Sequence, residues 1–65
     1  MTNDHEGVVP QMKTYRVTTV HKTVYVYNVL LVDRSDDDST VVFHRVGGST
    51  VEFPLSNLVS FEVLP

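Results

Sequence analysis

The chain has no cysteine, no alanine and no tryptophan among its 65 residues. Without thiols there are no disulfides, no thiol catalysis and no thiolate metal ligands, a usage that fits a cytosolic setting. Without alanine the best helix former is missing. Positive charge is scarce too, with five Lys and Arg against eight Asp and Glu and a net charge of −3. That balance disfavours an electrostatic nucleic-acid binder, whose surface must replace counterions along the phosphate backbone. Long apolar runs are also lacking. The longest, Val29 to Val32, falls far short of the roughly 20 residues that cross a bilayer as a helix. The opening residues Met1 to Glu6 carry Asp4 and Glu6 where a signal peptide has a basic segment, and no apolar core follows. A cytoplasmic protein without membrane contact is expected. His5, His21 and His44 are 16 and 23 residues apart, not the short spacing that sets two ligands on one helix or hairpin, so neither a metal nor a cofactor is expected.

What the chain does have is β-formers. Fourteen valines and seven threonines stand in the sequence, and the run Thr23 to Val32 is saturated with β-branched and aromatic residues on both faces. It reads as one long, largely buried strand. Residues 1–11 mix polar groups with Gly7 and Pro10 in neither period and read as a flexible arm. Residues 12–65 form a single domain, small enough that self-association would be a natural stabiliser.

Tyr15 to Val20 is the first strand, and His21-Lys22 the turn into the long second one. A turn of two or four residues sets Val17 opposite Val26 and Thr19 opposite Val24. Tyr15, Val17, Val24, Val26, Leu30 and Val32 then share the core face, and Arg16, Thr18, Val20, Tyr25, Tyr27, Val29 and Leu31 the other. Asp33 to Ser39 is a solvated loop. Thr40 to Val46 is the third strand, Gly47-Gly48 the turn, and Thr50 to Phe53 the fourth strand. An even loop places Val42, His44, Val46, Val51 and Phe53 on one face, with Arg45 and Glu52 on the other. Pro54 stops the ladder, Leu55 to Leu58 makes a single helical turn, and Val59 to Val63 alternates as a fifth strand.

Five short antiparallel strands with one helical turn before the last describe an all-β domain, a strongly bent sheet or a small open barrel. The stretch Phe53-Pro54-Leu55-Ser56-Asn57-Leu58-Val59 resembles the end of an SH3 domain, which implies an SH3-like barrel. The turn is one residue longer than in that family, the acidic and aromatic early loop is missing, and no tryptophan lines a polyproline groove. The resemblance therefore implies the fold and not proline-rich ligand binding. The wider pattern, ending in Val-x-Phe-Pro-Leu-x-Asn-Leu, is also similar to small uncharacterised proteins of actinobacteria and their phages, which brings no activity with it.

Candidate functional residues are few. Tyr25 and Tyr27 are two apart on one strand face, beside Arg16, and such an arrangement suits a protein interface or, with less support from the charge balance, base stacking. Asp36, Asp37 and Asp38 could steer a basic partner. An EF-hand loop counted from Asp33 would need glycine at its sixth position and glutamate at its twelfth, where Asp38 and His44 stand. His44 reads as a core histidine, and none of Ser39, Ser49, Ser56 and Ser60 is tied to it by a catalytic signature. The expected function is a non-catalytic protein-interaction module with Arg16, Tyr25, Tyr27, Asp36, Asp37 and Asp38 as contact residues. In line with the second likeness, it would be an accessory or inhibitory factor of a phage or mobile element. A nucleic-acid-binding barrel is the alternative. A further one is a structural subunit of a phage particle, a homo-oligomer assembled through an edge strand.

Overall fold

The computed structural model describes residues 12–65, and the arm expected over residues 1–11 lies outside them. Five strands follow in order: β1 (Lys13–Thr19), β2 (Thr23–Arg34), β3 (Thr40–Arg45), β4 (Thr50–Pro54) and β5 (Leu58–Leu64). A 3₁₀ turn, Leu55–Asn57, joins the last two. All pairings are antiparallel, and the spatial order is β4-β3-β2-β1-β5. The chain is an all-β, five-stranded bent sheet that does not close, with β4 and β5 as its edges.

The bend is visible in what Phe43 touches. It lies on β3, yet its ring meets Phe61 of β5 at 5.5 Å between centroids, with β2 and β1 intervening in the sheet. Tyr15 of β1 at 5.4 Å and Phe53 of β4 at 5.7 Å complete an edge-to-face cluster, the arrangement that aromatic quadrupoles favour. Around this ring Val17, Val26, Val29 and Val41 are buried as well. Tyr15, Val24, Val32, Val51, Phe53, Leu55 and Leu58 form a half-buried layer against them.

Three bulges let so short a sheet curl. In each, two pairing steps on one strand do not match those on its neighbour, which bends the bulged strand. Between Tyr15↔Val26 and Lys13↔Val29, β2 carries one extra residue. There Asn28 adopts φ 59, a left-handed conformation that asparagine tolerates better than most residues. Its carbonyl accepts the Val46 N–H at 3.0 Å. A second extra residue, Leu30, falls between Val29↔Arg45 and Leu31↔His44, and a third, Val59, between Thr18↔Ser60 and Thr19↔Leu58.

The bulges correct the expected faces of β2. Val24 and Val26 point to the core as expected, but after Asn28 the phase slips, so Val29 is buried and Leu30 exposed. The second slip restores the phase, and Val32 is half-buried against the core while Leu31 is exposed. The inward spacing is therefore 24, 26, 29, 32, which a strict period of two cannot produce.

The first hairpin keeps its expected facing sets but slides by two residues: Val17 pairs with Val24 and Tyr15 with Val26. Its turn centres on Val20-His21, closed by Thr19 N–H donating to Lys22 O at 2.8 Å. The Thr19 hydroxyl fixes that choice, accepting from the Lys22 N–H at 3.0 Å and donating to its carbonyl at 2.9 Å. In the second hairpin the expected faces of β3 are exchanged. Val41 pairs with Phe53 and Phe43 with Val51 on the core side, while Val42 and His44 lie opposite Glu52 and Thr50 on the outer side. The cause is an odd loop of three residues, Val46 to Gly48, closed by Arg45 N–H to Ser49 O at 2.9 Å. Within it Gly47 and Gly48 take φ 92 and φ 90.

Candidate interaction surface

The outer face of β2, β1 and β5 gathers the polar and aromatic side chains that the core excludes. Register places Arg16 opposite Tyr25 on one side and opposite Glu62 on the other. One row thus runs Tyr25, Arg16, Glu62 across three strands, and the next runs Thr23, Thr18, Ser60. These six residues line an open depression of about 520 Å³. The Arg16 guanidinium is bound to the Glu62 carboxylate across the β1–β5 pair. Both side chains remain about half exposed, so the bond holds Arg16 in place without contributing much stability.

Tyr27 extends the surface along β2. Its side chain and that of Tyr25 are both exposed. A smaller hollow beside them includes Arg45 and Val51, and the Arg45 Nε donates to the Tyr27 carbonyl at 2.9 Å. A cation of β3 is thereby anchored to the backbone of β2 at the second tyrosine. Arg16, Tyr25 and Tyr27 thus come together as the sequence implies. Lys22 stands beyond them in the turn.

The three aspartates are not part of this surface. They sit in the loop that follows the far end of β2, and they differ from one another. Asp37 turns into the loop, where its Oδ1 accepts from the Ser35 hydroxyl at 2.8 Å, the Ser39 hydroxyl at 2.7 Å and the Ser39 N–H at 3.1 Å. The two seryl hydroxyls, Ser39 first, hold its carboxyl below the usual value of 3.8. Asp38, at φ 66, is ion-paired with Arg34 at 3.0 Å. Asp36 is exposed. Two of the three carboxylates are thus engaged in shaping the loop.

His44 is half-buried on the outer face rather than in the core, paired with Leu31 and Thr50. Among the described residues no three His, Asp or Glu side chains cluster to hold a metal ion, and no helix is long and apolar enough to cross a membrane.

Sequence reasoning missed Glu62 and Ser60 as members of the surface. The signal for Glu62 was present in the alternation of Val59 to Val63. It becomes informative only once β5 is known to lie beside β1, which local patterning does not specify. No protein-family model, curated protein or solved structure matches the chain.

Proposed function

We propose that the chain is a non-catalytic protein-interaction module that contacts its partner through the outer face of β5, β1 and β2. The observation that carries this reading is the row Tyr25, Arg16, Glu62, with Tyr27 beside it, held on rigid strands and open to solvent. Tyrosine brings large amphipathic contact area with two rotatable bonds, and Arg pre-positioned by a carboxylate loses little entropy on contact, which is why both residue types dominate interface energetics. The same ion pair speaks against a polyanionic ligand, since Glu62 offsets the charge of Arg16 where a phosphate would sit. A contact of this kind suits an accessory or inhibitory factor.

The test is affinity capture from the source cell extract with nuclease present, comparing the wild-type chain with a Tyr25→Ser/Tyr27→Ser variant of matching circular dichroism. A stoichiometric protein held by the wild type and lost with the variant is the expected result. Capture of nucleic acid alone, or equal capture by both chains, overturns the reading.

A further inference from the structure

The two outer edges of the sheet are guarded. β4 carries Glu52 and ends in Pro54, and β5 is interrupted by the bulge at Val59. Charge, proline and bulges are the devices by which natural sheets avoid edge pairing. A third edge lies inside the sheet and has none of them. β3 pairs with β2 only from Val29↔Arg45 onward, so among the described residues no strand lies on that side of Thr23 to Tyr27. This half of β2, TVYVY, holds no charge and no proline, and its register against β1 is unbroken from Thr18↔Thr23 to Tyr15↔Val26. Two bonds show which backbone groups face the open side. Thr19 N–H donates to Lys22 O at 2.8 Å, which makes these residues a hydrogen-bonded pair. Such pairs alternate in an antiparallel ladder, so Val24 and Val26 direct their N–H and C=O to β1, and Tyr25 and Tyr27 direct theirs away from it. The Arg45 Nε bond to the Tyr27 carbonyl at 2.9 Å confirms that direction.

We propose that the first half of β2 is a strand-addition site for an extended segment of a partner protein that starts with a carboxylate side chain and continues with alternating aliphatic residues. Beside this edge lies an open hollow of about 220 Å³ lined by Val24, Tyr25, Val26, Tyr27, Arg45 and Val51. Antiparallel pairing lets one residue of the segment exchange both backbone bonds with Tyr25. Its neighbours on either side then point toward Val24, Val26 and Val51, where aliphatic side chains fit. The carboxylate follows from charge. Arg45 is the one charged group of the hollow, and the ion pairs Arg16–Glu62 and Arg34–Asp38 do not include it. Pinned through Nε at the Tyr27 end, Arg45 stops the added strand there and offers its other N–H donors to an incoming carboxylate. The site uses the backbone of Tyr25 rather than its ring, so it stands apart from the contact surface across β5, β1 and β2.

The test is hydrogen-exchange NMR of the full chain with the peptide acetyl-Glu-Val-Thr-Val-Thr-amide as probe. In the chain by itself the Tyr25 amide should exchange at least about tenfold faster than those of Val24 and Val26. The peptide should slow it, with a dissociation constant on the order of 10⁻⁴ M. Glutamine in place of the peptide's glutamate should weaken binding about tenfold, a difference that vanishes in the Arg45→Gln chain. N-methylation of the peptide's central threonine should abolish binding, and that comparison needs no variant of the chain. A Tyr25 amide already protected at high dilution would place residues of the chain itself on the edge, and protection that grows with protein concentration alone would place a second copy there. Either result overturns the proposal, as does equal binding of the N-methylated peptide or no binding at about 1 mM.

Discussion

Asp37 shows how a residue of common type becomes structural through its neighbours. Three donors from Ser35 and Ser39 converge on one carboxylate oxygen, and that is why the carboxyl is held below its ordinary value. A folded-state pKa below the unfolded one means that the charged form stabilises the loop. The contribution is complete above the unfolded carboxylate value of 3.8 and is lost as pH falls through the lower, folded one. We therefore expect the Ser39 amide resonance to stay fixed from neutral pH down to the ordinary carboxylate range and to move below it, as the N–H loses its bond to the carboxylate. In Asp37→Ala that acid transition should be absent and hydrogen exchange of that amide fast at neutral pH. A sequence reading treats Asp36, Asp37 and Asp38 as equivalent because charge is a property of residue type. What separates them is backbone direction, set here by the left-handed Asp38 and by the Ser35 N–H to Thr40 O bond at 2.9 Å. Tyr25 and Tyr27 were readable as a pair because strand alternation puts them on one face, and Arg16 joins them because the first turn holds an even number of residues.

At the scale of elements the sequence names strands well and their phase poorly. Every expected strand is present, since valine and threonine density between Gly, Pro and Asp clusters is a local signal. Phase depends on loop parity and on bulges, which are decided by single residues. One odd loop exchanged the faces of β3, turning Phe43 inward and His44 outward. One left-handed asparagine moved Val29 to the core in place of Leu30. The same reasoning predicts what the second hairpin tolerates. A Cβ built on Gly47 meets nothing within 4 Å, so a substitution there acts through the backbone alone, at φ 92. Gly47→Ala should lower stability by about 1–2 kcal/mol, read from urea unfolding, without disturbing the Val41↔Phe53 register. Gly47→Asn should cost less, because asparagine visits positive φ more readily. An equal loss for both would mean that side-chain crowding, not backbone conformation, governs the turn.

The whole molecule rests on few buried groups. Val17, Val26, Val29, Val41 and Phe43 are the buried hydrophobics of the described chain, each worth roughly 1.5–3 kcal/mol by transfer from water, against a chain entropy that leaves domains of this size marginal. Phe43 differs from the valines in what it connects. Its ring touches β1, β4 and β5 at once, so it is where the bent sheet meets itself without a closing ladder. Truncating it removes the contacts that hold the two ends of the sheet together as well as its own burial. Phe43→Ala should cost about 3–5 kcal/mol, close to the whole stability of a small domain, and circular dichroism should find it largely unfolded at 25 °C. Phe43→Leu should lose less, about 1–2 kcal/mol, and remain folded with a lower melting midpoint. Equal losses for the two variants would mean that the edge-to-face ring contacts, rather than the buried volume, hold the ends of the sheet together.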